Sequence, residues 1–213
     1  MNEDPEGISR RENHRAERGG DPEGISPGES QQGEALAVNA KGGSPRENQQ
    51  GEALVVRWEQ LLIRAGCDRS VIAHARAVTA LAFLFTESPV VNRDLVRTGA
   101  MLHDIGRGVT HGVDHAQRGA ALATSLGVPP PVVSIIERHI GAGMTADECS
   151  LEGLLPRDCV PRTLEEKIVA NADNLVQGDR AGSIEATLEA SIRLKKRIRR
   201  RIFRLWLEME SLR

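Results

Sequence analysis

In the stretch Asn92-Arg93-Asp94-Leu95-Val96-Arg97-Thr98-Gly99-Ala100-Met101-Leu102-His103-Asp104, the residues Leu95, Val96, Gly99 and Leu102 recur at the three- and four-residue spacing of one helix face. Asn92 stands where a side chain can cap the first turn, and the helix runs directly into an adjacent His-Asp pair. The same period holds on both sides. Upstream, Trp58, Leu61, Leu62 and Ala65 share a face that ends at Gly66. Asp68 then opens a helix through Val71, His74, Val78, Leu81, Ala82 and Phe85, stopped by Ser88-Pro89. Downstream, Asp114 opens a helix that Gly127 ends, and the prolines at 129–131 precede a short one through Ile135 and Ile136. Thr145 with Glu148, and Thr163 with Glu166, have the spacing of capping boxes. The second box starts a helix carrying Ile168, Ala172, Asp173 and Leu175, and Ser183 begins one long last helix. No segment alternates at period two with β-branched residues, so the expected fold is all-α.

Residues 1–54 differ from the rest. They are rich in Gly, Glu, Pro, Asn, Gln and Arg, and too poor in large apolar side chains to offset the entropy of ordering. They also repeat: Asp4–Ser9 recurs at Asp21–Ser26, and Gln31–Val38 recurs in modified form at Gln49–Val56. The expected organisation is a disordered, repeat-containing tail over 1–54, a helical domain over 55–182 and a basic amphipathic helix over 183–213. One reading is that the working protein starts after the tail.

Composition excludes several classes. The 213 residues carry 28 Lys plus Arg against 30 Asp plus Glu, so the chain is not a bulk polycation. Its mean hydropathy is −0.34 and no apolar run approaches the ~20 residues of a membrane span. The N-terminus lacks a secretion signal, and the expected location is cytoplasmic. Cys67, Cys149 and Cys159 are odd in number and show neither disulfide nor zinc-knuckle spacing. Aromatics make up 2% of residues with no Tyr, which argues against a stacking platform for single-stranded nucleic acid.

Five of the six histidines, His74, His103, His111, His115 and His139, fall in the helical region, and His14 lies in the tail. Imidazole with carboxylate is the ligand set of a divalent transition metal (Mn, Fe, Co, Ni or Zn). Adjacent residues on a helix project ~100° apart, so His103 and Asp104 can grip one ion if other helices supply the remaining ligands. His74, His103, Asp104 and Asp173 would form that site, and His115 with His139 a second one bridged by Asp104.

The run Met101-Leu102-His103-Asp104-Ile105-Gly106-Arg107 resembles the HDIG motif of HD-domain phosphohydrolases. His74 within Val71–Val78, the element His115-Ala116-Gln117-Arg118-Gly119-Ala120, His139 after Ile136-Glu137-Arg138, and Asp173 within Ala172–Leu175 are similar to the family's other motifs, in the family's order. The spacing and His139-Ile140-Gly141-Ala142-Gly143 look like those of small archaeal HDIG-type proteins. The resemblance implies an HD-domain helical bundle hydrolysing phosphate esters with one or two metals per chain. His74, His103, Asp104 and Asp173 would hold the first, and His115 and His139 would complete the second. Asp104 would bridge and accept the proton of a metal-activated water. Arg107, where the family commonly has Lys, would face the phosphate, with His111 holding phosphate or protonating the leaving oxygen.

Nucleotides or RNA are the implied substrates. A module that binds a phosphorylated ligand or RNA without turning it over is the alternative. Glu166 can orient a ligand from behind, Arg118 faces solvent, and the basic last helix packs on the domain or on a second copy of the chain as a homodimer.

Overall fold

The computed structural model describes residues 45–212. The tail expected over 1–54 therefore lies, up to residue 44, outside the described residues. Residues 45–54 belong to the first helix, α1 (Pro45–Arg64), which starts ten residues before the domain boundary read from composition. Gly66 follows it with φ of 89°, the left-handed conformation of a helix stop.

The domain is helical, as expected. Asp68 caps α2 (Arg69–Phe83), its carboxylate accepting from the N–H groups of Ser70 and Val71. Asn92 caps α3 (Arg93–Leu102) through the N–H of Leu95. After α3 a single 3-10 turn spans Ile105–Gly108, followed by α4 (His115–Ser125) and α5 (Pro130–Arg138). Both capping boxes are present, Thr145/Glu148 before α6 (Ala146–Leu151) and Thr163/Glu166 before α7 (Leu164–Leu175).

Two details depart from the sequence reading. A ribbon of two antiparallel two-residue strands, β1 (Val176–Gln177) and β2 (Arg180–Ala181), follows α7. Strands this short leave no period-two signature; only Gly178, with φ of 62° in the connecting turn, marks the place. The long last helix is also broken in two, α8 (Ile184–Ala190) and α9 (Lys196–Glu210). The apolar spacing continues through the break, which is why one helix was expected. A straight helix over that span would be ~40 Å long at ~1.5 Å per residue. Instead Ser191, whose hydroxyl bonds the Leu188 carbonyl, begins a turn that lets α9 fold back on α8 and onto α7.

Helices α2 and α3 are shared between two apolar clusters. Val78, Ala82, Val96 and Ala100 pack with Ile168, Val169 and Ala172 of α7 and Ile202, Leu205 and Met209 of α9. Val71, Ala75, Met101 and Leu102 pack with Leu62 of α1, Ala120 and Ala123 of α4, and Val132 and Ile136 of α5. Burial at roughly 25 cal/mol per Å² of apolar surface on both sides of this pair fixes where their polar residues emerge.

The glycine of the His-Asp motif has a steric task. A Cβ on Gly106 would lie 1.9 Å from the His115 carbonyl oxygen, and one on Gly119 would lie 2.9 Å from the Gly106 nitrogen. Only with both glycines can the 3-10 turn and α4 touch backbone to backbone, which sets His115 beside Asp104. No described helix is long and apolar enough to cross a membrane.

Candidate metal centre

His74 projects from the middle of α2, and His103 and His139 sit at the C-terminal ends of α3 and α5. Asp104 follows His103, His115 begins α4, and Asp173 lies in the last turn of α7. Five elements thus deliver six side chains to one place, and they are the six expected as ligands. Asp104 is central. Its Oδ1 lies 3.1 Å from His115 Nε2 and 3.5 Å from His139 Nε2, and its Oδ2 lies 3.7 Å from His103 Nε2. Asp173 Oδ1 lies 2.9 Å from His74 Nε2 and 3.4 Å from His103 Nε2. Three overlapping groups have donor atoms close enough to converge on an ion: His74, His103, Asp104; His103, His139, Asp173; and Asp104, His115, His139.

The far side of each ring decides what the near side can do. His74 Nδ1 meets the Gly178 carbonyl at 2.7 Å, His103 the Ala100 carbonyl at 2.7 Å, His115 the Gly112 carbonyl at 2.8 Å, and His139 the Ile136 carbonyl at 2.8 Å. A carbonyl oxygen only accepts, so each Nδ1 carries a proton, and a ring that holds this single proton turns an Nε2 lone pair inward. Those lone pairs then face carboxylate oxygens, and in one case each other. His103 Nε2 is buried with no hydrogen-bond partner. Such a convergence of acceptors is repulsive unless a proton or a cation sits among them, and a divalent metal fits the donor set.

The charges agree. Burial strongly opposes ionisation of Asp104, yet His103, His115 and His139 around it hold its carboxyl far below the usual carboxylate range. Burial likewise resists Asp173, and His103 and His74 outweigh it in the same direction. Burial alone would strip His103 of its proton, but Asp104 and Asp173 raise it to about 9. The field that draws this proton also draws a metal cation. Burial keeps His139 below its ordinary value.

The remaining expected residues divide. Arg107 lies beside the cluster, its Nε donating to Asp104 Oδ1 at 3.2 Å and one terminal N–H to the His111 carbonyl at 2.9 Å. His111 is exposed, and its ring is not among the convergent donors, so any catalytic part it plays is at the rim, on bound substrate. Arg118 is exposed, as expected, and pairs with Asp114. Glu166 touches none of the six ligands. Its carboxylate accepts from Arg138 at 2.7 Å and from the backbone N–H of Arg162 at 2.6 Å, so it holds the residue preceding His139 instead. The three cysteines are free and buried.

Two contributors were not anticipated. Gly178 reaches His74 only because the small ribbon folds back, a contact across 104 positions. Asn174 donates to the Gly141 carbonyl at 2.7 Å and ties the loop after His139 to α7; its place next to Asp173 was the one available signal.

Comparison with known proteins places the centre in a family. The HD domain pattern matches residues 71–177, the segment that carries all six convergent residues. The chain belongs to the HD-domain family. It is 42% identical over 128 residues to an uncharacterised protein of Methanocaldococcus jannaschii, covering 58% of this chain and 76% of that one. It is 39% identical over 145 residues to a tRNA (cytidine(56)-2'-O)-methyltransferase of Picrophilus torridus, 64% of this chain but 42% of the enzyme. It is 30% identical over 135 residues to a ribonuclease Y of Acidothermus cellulolyticus, 62% of this chain and 24% of that enzyme. The chain thus spans less than half of either named enzyme. No solved structure matches it.

Proposed function

We propose that this protein is a metal-dependent phosphohydrolase acting on phosphate esters of RNA or its nucleotides. One observation carries the reading: four buried or half-buried imidazoles, each with Nδ1 tied to a carbonyl, turn Nε2 toward two carboxylates held ionised. His74, His103, Asp104 and Asp173 would hold one divalent cation, and His115 and His139 a second, with Asp104 shared. Bound there, metal supplies a Lewis acid for the phosphoryl oxygens and lowers the pKa of water.

The chain's own groups do the positioning. Asp104, kept ionised by the histidines around it, orients the attacking water by accepting its hydrogen bond and is the carboxylate assigned to take its proton. Arg107 has Nε and one terminal nitrogen already engaged, which leaves its other terminal nitrogen for a phosphate oxygen. His111, exposed on the same loop, is assigned to the leaving oxygen. The resemblance to a ribonuclease and to a tRNA-modifying enzyme supports RNA chemistry, and a cytoplasmic location follows from that substrate.

Metal analysis of the purified protein, followed by a metal-supplemented screen of generic phosphate esters, nucleotides, cyclic nucleotides and phosphorylated RNA ends, tests the reading. Bound transition metal with turnover supports it. Full metal occupancy with no turnover of any substrate replaces it by the non-catalytic binding module.

A further inference from the structure

Helix α9 carries more positive charge than its contacts use. Arg197 and Arg201 both pair with Glu148 of α6, at 3.0 and 2.7 Å, and Arg201 also donates to the Gly143 carbonyl at 2.7 Å. Lys196, Arg199, Arg200 and Arg204 have no acidic partner among the described residues, and Arg199 Nε is shut off from water without a hydrogen-bond partner. With Phe203 and Leu207 these four fall at i, i+3, i+4, i+7, i+8 and i+11 from Lys196, the positions of one helix face. Phe203 is 38% exposed and Leu207 is 48% exposed. With Leu188 of α8 the six line an open groove of about 510 Å³. The Phe203 ring is backed by Trp206, stacked at 5.5 Å between centroids with 28° between planes. Two of the chain's five aromatics are thus on this helix, a concentration that the 2% average conceals.

We infer that this groove binds a single strand of RNA, the phosphates on the four cations and one base on the Phe203 face. Cations without acids, flanking an exposed ring that a second ring holds in place, are what a flexible polyanion with flat bases requires. A second copy of the chain fits worse, because a two-fold pairing through this face would oppose the same unpaired cations. The groove is also fixed to the metal centre. Arg201 holds Gly143, four residues after His139, and the Thr187 hydroxyl of α8 donates to the carbonyl of Asn174, next to Asp173, at 2.7 Å. RNA is chosen as the strand on the strength of the proposed function; the binding itself needs no metal.

Fluorescence anisotropy of a labelled 12-nucleotide single-stranded RNA with the full chain, in chelator, tests the groove. The double variant Arg200→Glu/Arg204→Glu is expected to bind at least tenfold more weakly and to lower the salt slope by about 1.4, from two lost phosphate contacts. Phe203→Ala is expected to weaken binding about fivefold or more. Both should keep the wild-type melting temperature and the wild-type rate on a small phosphate ester with metal. Wild-type affinity in the charge-reversed protein overturns the inference. So does equal competition by polyglutamate, which would make the face a site for acidic protein, or a concentration-dependent dimer that Phe203→Ala abolishes. Asp104→Ala separates the two proposals: it should bind the RNA normally while losing any hydrolysis.

Discussion

His115 and His139 meet Nε2 to Nε2 at 3.0 Å, although each ring already donates its Nδ1–H to a carbonyl three residues earlier, of Gly112 and Ile136 respectively. Two lone pairs at that distance need something positive between or beside them. Asp104 is within 3.5 Å of both, so the positive charge that satisfies the pair also satisfies the carboxylate shared with the other histidines.

Removal of that carboxylate should therefore disable the whole centre. Asp104→Ala is expected to lower bound transition metal and to reduce phosphate-ester turnover at least a hundredfold, while His14→Ala changes neither. Metal content by plasma emission and steady-state rates measure both. Retention of full metal and rate by the Asp104 variant would place the chemistry elsewhere.

The histidine pair predicts a count. His115→Ala/His139→Ala should bind about one metal per chain where the unaltered protein binds two, with His74, His103, Asp104 and Asp173 still ligating. Turnover should fall further than affinity for the remaining ion, because a metal pair clamps both attacking and leaving oxygens. In a loaded crystal the two ions are expected ~3.5–4 Å apart. A saturating titration of the unaltered protein that ends at one equivalent removes the two-metal mechanism.

The N-terminal boundary gives a truncation series. Deletion of 1–44 should leave the melting temperature unchanged, since its apolar-poor composition offers little to bury. Deletion of 1–54 cuts α1 to half its length and removes Gly51, whose backbone lies against the Arg97 guanidinium. That protein should melt lower, by about 2–4 °C for each kcal/mol lost. Equal melting of both truncations would show that residues 45–54 contribute nothing.

Glu148 predicts a pH dependence away from the metal. Burial resists its charge, but the Thr145 N–H, Arg201 and Arg197 outweigh it and hold its carboxyl below the usual glutamate range. A folded-state value below the unfolded one adds stability above about pH 4.5, and that stability is lost as pH falls through the folded value. Glu148→Gln should cost roughly 1.5–3 kcal/mol near neutrality, the range for hydrogen bonds to charged groups. The gap from wild type should close as pH falls below the ordinary glutamate range and through the lowered folded-state value. A gap independent of pH would mean that the loss is one of packing and not of charge.

Much of this protein was legible from local chemistry. A helix start depends on one side chain and the N–H groups two or three residues on, so Asp68, Asn92, Thr145 and Thr163 could be read as caps directly, and each acts as one. The six convergent residues were legible for a different reason: their order along the chain is that of a recurring family pattern, and the helices that carry them show the period that lets them point inward. Glu166 shows the limit. Its spacing from Asp173 suggested a shared face and a supporting role for a ligand, but Arg138, the last residue of α5 and the one directly before His139, takes its carboxylate at 2.7 Å.

By itself the sequence determined most of the helices, their caps and which six residues to look for together, because these depend on neighbours within a turn or two or on residue order. Only the tertiary structure decided how those groups are wired. The Gly178 carbonyl reaches His74 across 104 positions through a ribbon too short to announce itself. The last apolar stripe breaks at Ser191, after which α9 turns back onto α8 and α7. Long-range distance has no local signature, so the protonation of each ring, and with it the demand for a cation, became readable only once the carbonyls behind the histidines were in place.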